Sequence, residues 1–330
     1  MGVVLVLLLG EIDLSVGAVS GLSAAVMAIL NVQHGTSAAA SVVAAILAGA
    51  SAGAFQGIWF TRFRVPSFVV TLAGLLSFQG ALLWILGSTG TINVYDPSIV
   101  GLAGTFLPDW LGWAFAALGM GAIVMREILS MRRRAAAGLP PFSKRAIGAR
   151  IASVWVLSPM IVAFLNGDRG VPLALVLLLG LVIGFDLFIR RTRFGRYVFA
   201  VGGNAEAARR AGIRADGIRI VVFMLSGALA ACGGVLATSR LLAVNQSSGG
   251  GDVLLNAVAA AVIGGTSLFG GQGTVWSALT GALVIGSISN GMDLLARPSS
   301  VKFMVTGGAL LLAVTIDALG RAGKKRLGRG

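Results

Sequence analysis

Between Arg190 and Arg219 the chain carries eight arginines, one glutamate and one aspartate. Eight guanidinium groups against two carboxylates point to ion pairing in water. The middle of the stretch, Asn204-Ala-Glu-Ala-Ala-Arg-Arg-Ala-Gly212, predicts a short helix. Asn204 is its cap, a run of good helix formers is its body, and Gly212 is its stop. Glu206 and Arg209 stand three apart on one face of that helix. They would either orient each other or meet a charged partner in water. The plainer alternative is a solvated helix held by local pairs worth about 0.2–0.5 kcal/mol each. A second set is Gly10-Glu-Ile-Asp-Leu-Ser-Val-Gly17, where Glu11 and Asp13 sit at the mouth of an apolar run. Asp13 is placed to cap that run by accepting N–H bonds from Ser15 or Val16. Two readings stand side by side: a cap at a membrane surface, or a broken helix whose N-terminus points into a translocation path.

Other chemistry is missing from the chain. There is no G-x-x-x-x-G-K-[ST] for nucleotide phosphates, no G-x-G-x-x-G opening a helix and no H-E-x-x-H. A single cysteine, Cys232, excludes a disulfide framework, and a single histidine, His34, builds no metal site by itself. We therefore expect no catalytic residue, no metal site and no cofactor in this chain. Ionisable residues inside the apolar runs are also scarce: Asp186, Arg240 and Asp293 lie near run ends. A proton-coupled carrier would bury a carboxylate in mid-membrane, and Asp13 is the one candidate. Energy for transport would then come from another polypeptide.

The elements around these sets are membrane elements. Of 330 residues, 56% are hydrophobic and 12% charged, about half the charged share of a soluble domain. The fold class expected is all-α, a polytopic helical bundle forming one domain over 1–330. Spans are expected at 14–31, 37–61, 66–88, 109–129, 151–167, 171–189, 218–242, 253–268, 274–292 and 302–319. Residues 3–9 form an N-terminal stub too short to cross, since crossing takes about 20 residues; it reads as the end of a segment that begins before Met1. No basic n-region or cleavage site marks a signal peptide. Gly49, Gly53 and Gly57 recur every four residues and predict a close helix–helix seam. The net charge of +14 would suggest nucleic acid in a soluble protein, but 20 of 26 Lys/Arg fall in 126–150, 190–219 and 321–330. Counting alternations puts all three clusters on one side, as the positive-inside rule requires. The cytoplasmic parts expected are thus the loop 130–150 with its Pro140-Pro141 break, the stretch 190–219 and the tail 321–330. The polar connections 89–108 and 245–252 are expected outside. Residues 264–274 are an inside loop or a re-entrant segment.

Four motifs resemble one family. GEIDLSVGAVSGL (10–22), VPSFVVTLAGLLSFQG (65–80), RTRFGRYVFAVGGNAEAARRAGI (191–213) and AVIGGTSLFGGQGTVWSALTGALVIGSISNGM (261–292) occur in family order across nearly the whole chain. They are similar to the membrane permeases of bacterial ABC importers for monosaccharides of the ribose, xylose and arabinose type. Within that family, the loop 130–150 and the turn 166–172 resemble the D-xylose permeases most. The resemblance implies a multi-pass protein of the bacterial cell membrane, a homodimer of permeases in lipid, a cytoplasmic ATP-binding subunit carrying ATP and magnesium, and an extracytoplasmic sugar-binding protein. It places the family's coupling helix on Gly203, Asn204, Glu206, Ala207, Arg209, Arg210 and Gly212. The family has membrane segments ahead of GEIDLSVG that this chain lacks.

A path for a neutral, hydroxyl-rich sugar needs room, hydroxyls and amides rather than fixed charge. Candidates are Asp13, Ser15, Asn256, Thr266, Ser267, Ser289 and Asn290. The alternative for each is a bond to a neighbouring helix worth about 0.6 kcal/mol. Two other classes remain open at this level: an ion-coupled secondary sugar carrier, and a membrane-embedded enzyme with a titratable cluster in a cavity.

Overall fold

A computed structural model describes residues 1–138 and 144–326. The Pro140-Pro141 break and the last four residues of the basic tail lie outside the described residues. Among the described residues fourteen α-helices follow one another: α1 (Gly2–Leu8), α2 (Val16–Ala28), α3 (Ala38–Phe63), α4 (Ser67–Leu86), α5 (Pro97–Gly104), α6 (Asp109–Ala136), α7 (Lys144–Asn166), α8 (Leu173–Arg191), α9 (Arg193–Gly203), α10 (Ala205–Arg210), α11 (Ala215–Leu241), α12 (Gly251–Ile263), α13 (Trp276–Leu294) and α14 (Ser299–Arg326). Each of the ten expected spans falls on one helix: α2 (prolonged by a π-turn), α3, α4, α6, α7, α8, α11, α12, α13 and α14. Among the described residues, seven apolar segments are long enough to cross a membrane by length and composition, on α2, α3, α4, α6, α8, α11 and α14. The apolar parts of α7 and α12 are shorter. The chain is a polytopic helical membrane protein.

Two compact units emerge, residues 1–100 with 180–330, and residues 101–179. In the first, α11 packs on α1, α2, α3, α9 and α10. The glycine spacing explains why. A Cβ on Gly53 would run into the Phe223 carbonyl oxygen, one on Gly49 into that of Gly227, and one on Gly57 would come within 2.8 Å of the Ile220 Cα. The bare faces let the α3 and α11 backbones touch, which supplies the dispersion contacts that replace the hydrophobic effect in lipid. Helix α2 is enclosed in the same way; Gly234 of α11 meets the Ser20 carbonyl, and Gly17 and Gly21 meet the backbone of Gly249 and Ser248.

The first part of the polar connection 89–108 holds a short strand. Strand β1 (Thr91–Asn93) pairs antiparallel with β4 (Ala243–Asn245), Ile92 opposite Val244. Asn31 donates to Asp96 at 2.9 Å, and this amide is the main reason the Asp96 carboxyl sits below its ordinary pKa. In the second unit, α6 packs on α7 and β2 (Phe106–Leu107) pairs with β3 (Val171–Pro172). The three arginines 132–134 belong to the last turns of α6, so the expected loop 130–150 is largely helical at both ends.

Candidate functional site

The helix read from Asn204 to Gly212 is present with both of its ends as the residue types require. The Asn204 side chain accepts the Ala207 N–H at 2.9 Å. At the other end Gly212 takes φ +83°, its N–H reaches the Arg209 carbonyl, and the Ile213 N–H reaches that of Ala208. That paired closure with glycine in the left-handed region is a Schellman motif. Ala208 is buried, 4% exposed, and anchors the helix. Gly203, Asn204, Glu206, Ala207, Arg209, Arg210 and Gly212 are all exposed.

The pairing differs from the expected one. Glu206 and Arg209 do not orient each other. Glu206 pairs with Arg210 one turn on at 3.3 Å, while Arg209 reaches out of the helix to Asp216 of α11 at 3.0 Å. The (i, i+4) separation lets the Glu206 carboxylate meet the Arg210 head, and with Glu206 so engaged Arg209 takes Asp216 as its acceptor. The short helix thus has two faces: Glu206 and Arg210 on one, and Arg209 tied to the membrane bundle on the other.

From Asp216 the charged contacts continue inward. Arg219 approaches Asp216 at 3.7 Å and donates to Glu11 at 3.1 Å. Its guanidinium also lies 5.8 Å from the Phe60 ring centroid. Two residues past Glu11 is Asp13, 5% exposed. One Asp13 oxygen accepts the Ser15 N–H at 2.9 Å and the Ser15 hydroxyl at 2.7 Å; the other accepts the Ser226 hydroxyl at 3.1 Å. The amide of Gln56 bonds Ser15 in turn at 2.9 Å. Ion pairs therefore run from α10 to Glu11, and two residues along the backbone lies a separate buried cluster where α2, α3 and α11 meet. The expected cap interaction at Ser15 is present, but it is buried in the bundle and shared with Ser226 and Gln56. Asp13→Ala would strip three enclosed donors of their acceptor, each worth about 1–3 kcal/mol. We expect that variant to lower stability by roughly 3 kcal/mol and Asp13→Asn by much less, read from thermal unfolding of the purified protein; equal effects would contradict the account.

The N-terminal side of α10 is seated on backbone. Gly202 meets the Leu8 carbonyl, a Cβ on Gly270 would come within 2.8 Å of the Gly10 nitrogen, and the Gly271 N–H donates to the Leu8 carbonyl at 2.9 Å. The segment 264–274 is a loop between α12 and α13, folded against the ends of α1 and α9. Within it Thr266 and Ser267 are buried, 2% exposed each, and the Thr266 hydroxyl has no partner among the described residues. The remaining path candidates lie elsewhere: Asn256 half-buried on α12, Ser289 half-buried and Asn290 exposed on α13. The seven candidates thus fall in four places, and Asp13 and Ser15 are joined directly by hydrogen bonds.

Sequence reasoning missed α9, Glu11 as an ion-pair partner, Gln56, Ser226 and Arg219. Helix α9 carries an arginine-rich outer face, which disguised its buried Gly195, Val198 and Val201. A lone glutamine in the apolar run 37–61 was a usable signal for Gln56. Among the described residues, no group of three or more His, Cys, Asp or Glu side chains is arranged to hold a metal ion.

Comparison with known proteins adds the family. A family model described as branched-chain amino acid transport system / permease component matches residues 1–314. The chain is 38% identical to the xylose transport system permease protein XylH of Escherichia coli K12 over 318 residues, 96% of this chain and 80% of that protein. It is 36% identical to XylH of Haemophilus influenzae, covering 84% of it, and 31% identical to the ribose import permease protein RbsC of Escherichia coli K12, covering 80%. No solved structure matches.

Proposed function

Because this chain belongs to the branched-chain amino acid transport system / permease component family, we propose that it is the membrane subunit of an ATP-driven importer of a monosaccharide, a pentose of the D-xylose kind. The relatives named for xylose and ribose support the substrate class. The observation that carries the mechanism is α10: a short helix capped at both ends, exposed on its Glu206–Arg210 face, and tied by ion pairs through Arg209, Asp216 and Arg219 to Glu11, two residues before the buried Asp13. A cytoplasmic ATP-binding subunit, which holds ATP and magnesium, docks on that face. Its rigid-body motion reaches the bundle through ion pairs and packed backbone, because packed interfaces switch between discrete arrangements and do not bend continuously. Two copies of the chain form the path, and an extracytoplasmic sugar-binding protein delivers the sugar on the opposite side.

The buried Asp13 carboxylate favours one competing reading, an ion-coupled secondary carrier, since intramembrane carboxylates serve as proton or cation relays. Proteoliposomes separate the two. With the ATP-binding and sugar-binding proteins present, ATP is expected to drive pentose accumulation against its gradient, and the chain alone is expected to show none under an imposed proton or sodium gradient. Uphill uptake by the chain alone would establish the secondary carrier instead.

A further inference from the structure

A cavity of about 610 Å³ opens beside α10, and Glu11, Phe60, Arg64, Arg209, Asp216 and Arg219 are among the residues that line it. We propose that it binds the phosphodiester headgroup of an anionic phospholipid. The residues stand at the ends of candidate spans, where headgroups would sit. The candidate spans of α3 and α4 end at Phe63 and begin at Ser67, and that of α11 begins at Ala215. Arg64, Asp216 and Arg219 are therefore all at the edge of the hydrocarbon layer.

The charges point to a single anion. Three guanidinium groups face two carboxylates. Glu11 and Asp216 are engaged by Arg219 and Arg209. Arg64 forms no ion pair among the described residues, and the Arg219 Nε is enclosed without an acceptor. One positive charge and several N–H donors are thus left over, and a phosphodiester supplies one negative charge and two free acceptor oxygens. Arginine's planar fork suits phosphate oxygens.

Apolar surface at the same rim favours a lipid over free phosphate. On α3, Phe55, Trp59 and Phe63 stack as a ladder with centroids 5.4 and 4.8 Å apart, and all three are exposed. Phe68, on the first turn of α4, is exposed as well. Trp59 and Phe63 occupy the helix stripe next to Phe60 and Arg64, so acyl chains along the ladder leave the headgroup at the cavity mouth. Basic pockets between membrane helices, flanked by interfacial aromatics, take anionic headgroups in this way.

The test uses the purified full chain. Native mass spectrometry after exchange from an equimolar mixture of phosphatidylglycerol and phosphatidylcholine is expected to show phosphatidylglycerol retained roughly tenfold over phosphatidylcholine. Arg64→Asn, which tolerates the left-handed backbone at this position (φ +55°), should abolish the preference. Arg191→Gln removes the same charge away from the cavity and should leave it intact. Equal retention of the two lipids, or equal loss in both variants, would overturn the site. So would displacement of the lipid by millimolar inorganic phosphate, which would make the ligand free phosphate. None of these readouts involves ATP hydrolysis or transport, so the outcome is independent of the proposed function.

Discussion

Gly53→Val is expected to leave almost no folded protein. The first side-chain carbon would occupy the space of the Phe223 carbonyl oxygen, and the branched methyls have nowhere to turn, because Gly49 and Gly57 on the same stripe also abut α11. Relief requires α3 and α11 to separate along the seam that holds the bundle's central helix. Overpacking a well-filled core costs about 1–3 kcal/mol, and more where the obstacle is backbone. Separating the helices would also loosen the Phe60–Phe223 ring pair, whose centroids are 5.1 Å apart. A control lies on α11 itself. Gly234 meets the Ser20 carbonyl, whereas a Cβ on its neighbour Gly233 meets nothing within 4 Å. Gly233→Ala should therefore be neutral, or stabilising by up to about 1 kcal/mol, since alanine is the better helix former. Thermal unfolding and size-exclusion profiles of the two variants check this; a well-folded Gly53→Val protein would mean that the seam is not closed in the membrane.

Glu206→Arg is expected to separate assembly from folding. The Glu206–Arg210 pair is highly exposed, with side chains 64% and 80% accessible, and such pairs add little to stability. The helix keeps its Asn204 cap, its glycine closure and the buried Ala208, so thermal unfolding should be unchanged. On the docking face, however, the substitution turns a neutral pair into two adjacent arginines. If the ATP-binding subunit seats there, its affinity should fall by at least about tenfold, which is 1.4 kcal/mol, and sugar-stimulated ATP hydrolysis should fall with it. Co-purification and ATPase assays measure both. Unchanged assembly and hydrolysis would remove α10 from the interface while leaving the family membership untouched.

How much of this could be read without coordinates varies with the range of the interaction. The capped helix 204–212 was legible because an Asn cap and a glycine stop act on backbone groups within four residues. Helix positions followed from runs of apolar residues for the same local reason, and the glycine stripe of α3 announced a close seam without naming its partner. The partner of Arg209 was not legible. Glu206 was the nearest carboxylate in sequence, yet Asp216 takes Arg209 because the turn after Gly212 brings the start of α11 back beside α10.

By itself, then, the sequence determined a many-helix membrane protein with its basic residues gathered in three clusters, and a short, doubly capped helix in one of them, because hydropathy and capping are properties of contiguous residues. Tertiary structure alone decided that Asp13 binds Ser226, 213 positions away, that Glu11 meets Arg219, and that the glycine loop 264–274 folds against α1 and α9. Buried polar groups must find partners, and which partners are within 3 Å is settled only when distant helices pack.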